Sequence, residues 1–292
     1  MARKLLLQVK NSKGLSSVLI RVPKGQVIAS PIRLPLTSLR NNISIILEEH
    51  SKASVVELSA SKKASMTKNK ISILLKANSS LDYLAVQTMG ASAASIVARS
   101  SVLEKDSKLN HIDCIIGSKH SQLSSEFLLK GENSELNSYA MLLGDGEQVF
   151  DLRASSAHLA QNTKSNMLVK SILNGRARLT HQGLVRINKG SASCQGYQRS
   201  EAIMLSDEAE ISTIPNLEIG NNEVSCTHAA TISQVPEDKL FYLKSRGIPE
   251  SQAVSLVLQG FLSRIFESIP EKEKHQVYSA IAEKTGAKHA GN

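Results

Sequence analysis

The chain has 292 residues, of which 41% are hydrophobic and only 3% aromatic, and its net charge at neutral pH is +9. This length suffices for one large hydrophobic core or two smaller ones, but without tryptophan the core has to be built from Ile, Leu, Val and Ala. The positive charge makes nucleic acid or an anionic surface a partner to consider. Its clusters at Arg3–Lys4, Lys62–Lys63 and Lys68–Lys70 are short and have no aromatic stacking motif beside them, so a solvated basic surface is the favoured interpretation.

Cysteine usage fits a reducing compartment, and the N-terminus lacks the features of a signal peptide. The three cysteines, Cys114, Cys194 and Cys226, include no CxxC pair, which argues against a disulfide framework and against a four-ligand zinc or iron–sulfur site built by this chain alone. The start, MARKLLLQVK, has too short an apolar run for a signal peptide, and no apolar run reaches the roughly 18 residues of a membrane span. We expect a soluble, cytoplasmic protein.

In chain order, a short extension (residues 1–16) precedes a long series of predicted strands over residues 17–233. The apolar runs are rich in β-branched residues and bounded by polar turns, as in SVLIRV (17–22), ISIILE (43–48), SVVELS (54–59) and ISILLK (71–76). Such runs are typical of strands, and helical periodicity is scarce in this span.

The predicted strands recur with a fixed period. The fragments HSKASVVEL, NSSLDYLAV, DSKLNHIDC and NSELNSYAM share a polar pair followed by alternating apolar positions, and their leading serines, Ser51, Ser79, Ser107 and Ser134, lie 28, 28 and 27 residues apart. A repeat of this length with strands in each unit predicts a β-helix-like solenoid, in which every coil adds one aliphatic layer to a continuous core. A serine-rich β-sandwich with a coincidental repeat is the alternative.

Residues 234–292 are predicted to form a small helical segment. Pro236, at the expected first helical position, and Gly247 bracket the helix EDKLFYLKS, and a second helix opens at Pro249. An apolar stripe at three- and four-residue spacing runs along the second helix through Ala253, Leu256, Val257, Gly260, Phe261 and Ile265. A third helix is predicted at about residues 270–283, with a frayed end after it.

A cysteine and a histidine lie two residues apart in the last predicted strand. Side chains alternate between the two faces of a strand, so Cys226 and His228 point the same way, about 7 Å apart, with Thr227 opposite. A thiolate and an imidazole at this separation can approach a shared metal or persulfide. The structural alternative stays open, because cysteine is often buried and a histidine at a strand end is often only hydrogen-bonded.

The other candidate groups form no familiar catalytic arrangement. His158 and His181 do not resemble the base of a triad, and the chain contains no nucleophile elbow, no HExxH and no phosphate-binding glycine loop. Polysaccharide-cleaving β-helix enzymes place paired acids in a groove, and Asp113, Asp145 and Asp151 are the candidates for that role. They fall on no common phase of the repeat, which disfavours it.

Several long stretches match the motifs of one known family. The main one is IPNLEIGNNEVSCTHAATISQVPEDKLFYLKSRGIPESQAVSLVLQGF, preceded by GYQRSEAIMLSDEAEISTIPNLEI; weaker likeness extends through ARLTHQGLVRI and DLRASSAHLAQNT to VPKGQVIASPIRL. These stretches closely resemble the SufB/SufD family of the SUF system for iron–sulfur cluster assembly. The resemblance implies a right-handed parallel β-helix, an all-β core, followed by a C-terminal α-helical segment.

The resemblance further implies a scaffold subunit without catalytic turnover of its own. Such proteins pair through their β-helices, here with a SufB-like subunit or a second copy, and each docks the ABC-type ATPase SufC on its C-terminal helices. The docking candidates are Phe241, Tyr242, Arg246 and Phe261, since aromatic side chains offer apolar anchors beside a guanidinium. No tightly bound cofactor, membrane or nucleic acid is expected; iron or an iron–sulfur cluster would be held transiently at the interface with the partner.

Two departures from the SufB branch favour the SufD branch. The SufB branch has a cysteine in the segment matching YQRSEAIML, which has none here, and a glutamate after the histidine, where this chain has Ala229. The SufD branch has a C-x-H pattern, which Cys226 and His228 match. These two residues are therefore the candidates for cluster assembly, with His228 the candidate metal ligand. Longer members have an N-terminal domain before the β-helix, so any role of that domain is in doubt here.

Two other functions are alternatives to the scaffold hypothesis. A polysaccharide-active β-helix enzyme requires a groove lined with clustered carboxylates and sugar cleavage by the protein alone. A nucleic-acid binder requires salt-sensitive binding with several phosphate contacts. The scaffold hypothesis ranks ahead of both.

Overall fold

A computed structural model describes residues 5–12, 14–61, 65–271, 273–275 and 278–279. In this part of the chain, strands β1 to β17 come first and helices α1 and α2 follow. The strands form two sheets, and successive strands from β2 onward alternate between them.

The first sheet contains, in spatial order, β1 (Leu6–Ser12), β2 (Leu15–Val22), β4 (Arg40–Leu47), β6 (Met66–Leu75), β8 (Ala94–Leu103), β10 (His120–Leu129), β12 (Val149–His158), β14 (Arg178–Ile187) and β16 (Glu210–Ile219). The second contains β3 (Ile32–Leu36), β5 (Lys52–Ser61), β7 (Ser80–Met89), β9 (Lys108–Gly117), β11 (Glu135–Gly144), β13 (Lys164–Leu173), β15 (Gln195–Met204) and β17 (Ser225–Gln234). From β2 to β15, each strand pairs in parallel with the strand two further along the chain, as β10 does with β12. The molecule is thus a parallel β-solenoid, which confirms the predicted fold class and excludes the β-sandwich.

The first strand was not predicted. It lies within the extension assigned to residues 1–16 and pairs antiparallel with β2, from Leu6 opposite Arg21 to Ser12 opposite Leu15. This strand covers the edge that β2 would otherwise leave unpaired at the N-terminal end of the first sheet.

The repeated serines form one corner of each coil. The residue before each serine has a positive φ of 55° to 59°: His50, Asn78, Asp106 and Asn133. Asn and Asp tolerate this left-handed conformation better than most residues. Each serine hydroxyl then donates to the carbonyl three residues earlier, as Ser107 does to Glu104 at 2.6 Å. Thr163 makes the same bond one coil later, and Cys194 takes the equivalent place in the coil after that.

Alternate residues of each strand fill the space between the two sheets. In β6, for example, Ile71, Ile73 and Leu75 are buried, while the side chains between them face outward. The second sheet is also apolar on its outer face, where Leu84, Ile112 and other side chains pack under a helix. The middle strands of this sheet are therefore buried on both faces.

The helical segment follows the solenoid and covers the outer face of the second sheet. Helix α1 spans Glu237–Ser245, so it begins one residue after Pro236, the predicted first helical residue, which is instead the N-cap; α2 spans Glu250–Phe266. Further helical residues occur at 271, 273–275 and 278–279, where a third helix was predicted; the frayed end predicted after it lies outside the described residues. No described helix combines the length and apolarity required to cross a membrane.

The prediction of which residues of α2 form its buried apolar stripe is wrong in part. Ala253 and Ile265 are buried, but Leu256 and Gly260 are exposed. The rest of the buried face consists of Ser255, Leu258, Leu262 and Phe266. The apolar outer face of the second sheet decides which side of the helix is buried, and that choice cannot be read from the helix sequence alone. At the far end of the helical segment, Arg33 donates to Glu273 at 2.7 Å, which ties this segment to β3.

Candidate functional site

The C-terminal end of the solenoid presents two strand edges. Strands β16 and β17 are the last in their sheets and, among the described strands, each pairs on one side only. The inward-facing residues of β16, such as Thr213 and Leu217, are half-buried, whereas their neighbours on β14, His181 and Val185, are buried. The last layer of the solenoid interior therefore lacks a covering layer from the described chain. We call this surface, formed by β16 and β17, the open end.

The predicted Cys226–His228 pair lies at the open end. Cys226 is in register with Gly196 of β15 and His228 with Gln198, so both side chains face the interior, as the alternation predicts. Cys226 is half-buried and His228 is exposed. Thr227 points to the other face. The pair thus forms part of the uncovered last layer.

Apolar side chains pack against the inner side of the Cys226 thiol. The thiol packs against a cluster that includes Met167, Val185 and Cys194. Gly196 makes the approach possible, since a Cβ there would lie 2.6 Å from Val185 Cγ1 and 3.2 Å from Cys226 Sγ. Burial raises the pKa of the Cys226 thiol, with a smaller opposing effect from the Gly196 backbone. At neutral pH the group is a protonated thiol, and a metal has to displace its proton to bind.

Two histidines lie deeper in the interior. His158 Nδ1 and Thr163 Oγ1 are 2.7 Å apart, and its Nε2 lies 2.8 Å from Ser165 Oγ. His181 Nδ1 lies 3.2 Å from Thr213 Oγ1. Burial lowers the pKa of each imidazole to about 4, so both are neutral at pH 7. Among the described residues their ring nitrogens pair with hydroxyl groups, so both are interior hydrogen-bonding groups.

The donor set at the open end is incomplete for a cluster. Cys226 offers one thiol and His228 one imidazole, and the described residues contain no group of three or more His, Cys, Asp or Glu placed to hold a metal ion. Protein-bound iron–sulfur clusters are generally held by four ligands, mostly thiolates. This chain's two donors fit such a cargo only if further ligands come from elsewhere.

The ATPase-docking candidates divide between two surfaces. On α1, Phe241 is 76% and Tyr242 58% exposed, and the Arg246 guanidinium lies 5.4 Å from the Tyr242 ring centroid. Phe261 instead packs toward the second sheet, where the Lys170 ammonium lies 4.5 Å from its ring centroid. A groove of about 540 Å³ runs between the helices and is lined by Asp238, Lys239, Tyr242, Leu243, Leu256 and Val257. We call it the α1–α2 groove.

A buried charged cluster in the middle coils was missed by the sequence analysis. Its members are Glu57, Tyr83, Arg99, His111 and Asp113, all facing the interior. The Arg99 side chain is 1% exposed and donates to Asp113 at 2.9 Å, while the Tyr83 hydroxyl donates to Glu57. The guanidinium holds the pKa of Asp113 at about 2 despite its burial. One feature of the sequence could have revealed it. In the predicted strand SVVELS (54–59), alternation places Glu57 on the same inward face as Val55.

The three acids considered for sugar cleavage lie on three different surfaces. Asp113 is inside the solenoid, bound to Arg99. Asp145 lies in a turn and accepts from the Gly146 amide, and Asp151 is on the outer face of the first sheet, 3.4 Å from Arg153. They do not form a shared groove, so the polysaccharide-enzyme alternative is not favoured.

One of the three basic clusters lies within the described residues. Lys68 and Lys70 are exposed on the outer face of the first sheet. Arg3–Lys4 and Lys62–Lys63 lie outside the described residues. The cluster at Lys68 and Lys70 contains no aromatic side chain that could stack on nucleic-acid bases.

The sequence matches one family over most of its length. Residues 34–261 match the family model described as "SUF system FeS cluster assembly, SufBD core domain". The chain therefore belongs to the SufB/SufD family of iron–sulfur cluster assembly, which confirms the resemblance drawn from the motifs.

Individual relatives agree with this assignment. The chain is 30% identical over 200 residues to an iron-sulfur cluster assembly SufBD family protein of Mycobacterium bovis, covering 68% of this chain and 24% of the relative. It is 27% identical over 260 residues to the iron-sulfur cluster assembly protein SufB of Bacillus subtilis, covering 86% and 56%. A SufBD family protein of Staphylococcus aureus is 26% identical over 200 residues, covering 68% and 43%. The chain thus spans between about a quarter and just over half of these relatives.

Proposed function

We propose that this protein is a SufD-like scaffold subunit of the SUF system that works in the cytoplasm without catalytic turnover of its own. It pairs through its open end with a SufB-like subunit, or with a second copy of itself, and binds a SufC-like ABC ATPase through its helical segment. The iron–sulfur cluster is the cargo, held transiently between the paired subunits.

The open end carries this proposal. Two ten-residue strands present unpaired backbone groups, and an uncovered layer that includes Leu217 and Ile232 lies between them. Exposed strand edges of this length are rare in proteins unless another chain covers them. A second β-helix placed end to end would continue both sheets. It would also bring its own ligands to Cys226 and His228, which this chain leaves incomplete.

The SufD assignment depends on particular positions. Residues 199–201 of β15 contain no cysteine, and Ala229 follows His228 where the SufB branch has a glutamate. The structure supports a role for the C-x-H motif to the extent that both its side chains face the uncovered layer. His228 is the better candidate for contacting a partner's cargo because it is exposed, whereas the Cys226 thiol is half-buried.

The α1–α2 groove supports ATPase docking. Helix α1 has no buried residues, so its aromatic side chains are available to a partner. Phe241 and Tyr242, beside the guanidinium of Arg246, provide the combination of aromatic and Arg side chains that is common in interface hot spots. Phe261 contributes indirectly, since it fixes α2 against Lys170 of the second sheet.

The test is anaerobic co-expression of the chain with its organism's SufB-like and SufC-like proteins, followed by size-exclusion chromatography and iron and sulfide analysis. For wild type we expect a stoichiometric complex that contains this chain. For His228→Ala we expect the same complex with at least a tenfold loss of assembled cluster. The control is Thr227→Ala, which alters the neighbouring side chain on the opposite face and should preserve both.

Two results would contradict the proposal at different levels. If His228→Ala assembled clusters at the wild-type rate, the site assignment would be wrong while the scaffold role stood. If the chain eluted alone while the other two proteins paired without it, the scaffold role itself would be wrong.

A further inference from the structure

Two small cavities lie inside the solenoid, next to the buried charged cluster. The first has a volume of about 30 Å³ and a mainly apolar lining, with polar side chains from Asp113, Ser125, Ser138, His181 and Gln198. The second, of about 20 Å³, has polar side chains from Glu57, Ser59, Asn69, Gln87, Arg99, Asp113 and Ser121 in its lining. Asp113 and Leu123 border both cavities, so the two are adjacent.

Each cavity is bordered by buried polar groups that lack a protein partner among the described residues. In the first, both the oxygen and the nitrogen of the Gln198 amide are unpaired, although the residue is only 4% exposed. In the second, Arg99 Nε and Asn69 Nδ2 are unpaired. Leaving a buried donor or acceptor unsatisfied costs about 1–3 kcal/mol. If all of these groups stayed without a hydrogen-bond partner, their summed cost would strongly destabilise the folded protein.

The position of Gln198 is set by its surroundings. A Cβ at Gly183, on the facing sheet, would lie 2.5 Å from the Gln198 side chain, so the glycine leaves just enough room for the amide. This close packing limits the rotamers of Gln198. The amide therefore cannot easily turn to reach another protein group, and it stays unpaired in this position.

The volumes limit what can bind. One water molecule needs about 10–15 Å³ of cavity volume on this scale, so the first cavity has room for about two water molecules and the second for about one. A larger ligand does not fit. The lining offers a carboxylate, a guanidinium, amides and hydroxyls, so the ligand has to donate and accept hydrogen bonds at once.

We infer that the solenoid interior binds water at two sites, one at the Gln198 amide and one between Arg99 and Asn69. The water at Arg99 hydrates the charged cluster. Because Gln198 is the register neighbour of His228, the other site lies one strand away from the open end. This inference depends only on the interior geometry and would stand whichever partner binds the open end.

The experiment is a crystal structure of the full chain at a resolution that shows ordered water. We expect electron density for water within hydrogen-bonding distance of the Gln198 amide and of Arg99 Nε. Cavities that show no water density in wild type would overturn the inference.

A matched pair of variants locates the water further. Gln198→Leu removes both unpaired amide atoms at similar volume and should lose at least one water from the first cavity while the second keeps its own. Met167→Leu changes an apolar residue lining the same cavity and should keep both sites occupied. Unchanged water in Gln198→Leu would contradict the assigned partner. The wild-type crystal tests the inference even if this variant does not fold.

Discussion

The middle coils and the open end are built from the same pattern but have different surroundings. Strands β9 and β17 both have ten residues and alternate inward and outward side chains. In β9 most residues are buried, since strands pair on both sides and α2 covers the outer face; in β17 nearly every residue is exposed. The comparison shows that neighbours, and not the strand sequence alone, decide which coil is buried and which is left exposed.

The largest expected effect lies in the middle coils. Arg99→Leu leaves Glu57 and Asp113 as buried carboxylates without their cation, and removing one partner of a buried ion pair costs about 3–5 kcal/mol. We expect a loss of that size in the free energy of unfolding, measured by urea denaturation at pH 7.

The control for this variant is on the surface. Arg186 bonds Glu218 at 2.5 Å between strands at the open end, but both side chains are about half exposed. Solvent screens such pairs, so Arg186→Ala should leave the unfolding curve unchanged. If both variants lowered the free energy of unfolding equally, the proposed difference between the buried middle coils and the open end would be wrong.

The second effect is a loss of stability at mildly acidic pH. The folded protein holds His158 and His181 at pKa values of about 4, below the ordinary value of 6.5. The unfolded chain therefore binds protons as the pH falls below 6.5 while the folded chain does not, and stability is lost progressively down to about pH 4. At pH 5 each histidine should lower the free energy of unfolding by about 2 kcal/mol relative to pH 8.

Denaturation of wild type and His158→Gln at pH 8 and pH 5 measures this. The variant starts from its own stability but should lose about half as much between the two pH values. Asp113 does not interfere, because its pKa of about 2 confines its contribution to more acidic solutions. A stability that does not change between pH 8 and pH 5 would show that these imidazoles are not buried as described.

The smallest effect concerns the repeated corner. Ser107→Ala removes the hydroxyl that bonds the Glu104 carbonyl at 2.6 Å, and we expect a loss of about 1 kcal/mol, typical of one buried hydrogen bond. Ser225, at the start of β17, is exposed, and Ser225→Ala should have no measurable effect on thermal unfolding. The reverse order of the two would mean that the serine repeat does not reflect corner bonding.

Local patterns predicted much of the fold. The spacing of Ser51, Ser79, Ser107 and Ser134 corresponds to the coil period because each serine has the same corner bond. Strand alternation predicted that Cys226 and His228 share a face. Both predictions depend only on nearby residues, which the sequence displays directly.

Features that depend on distant residues were missed. Glu57 and Arg99 are far apart in the chain, and neither signals the other until coiling stacks β5, β7 and β9 and brings β8 opposite them. The buried face of α2 likewise depends on the apolar outer surface of the second sheet. The exposure of His228 follows from β17 being the last strand of its sheet, which alternation cannot show. The partner, the SufD role and the use of Cys226 and His228 stay predictions.

The most direct test is amide hydrogen exchange on the chain alone and with its organism's SufB-like and SufC-like proteins added. Pairing through the open end predicts that the β16 and β17 amides without a sheet partner exchange rapidly in the free chain and become protected in the complex. Amides of β9 should be protected in both samples, since that strand already pairs on both sides. A complex that forms while β16 and β17 exchange as fast as before would contradict the claim that these edges bind the partner.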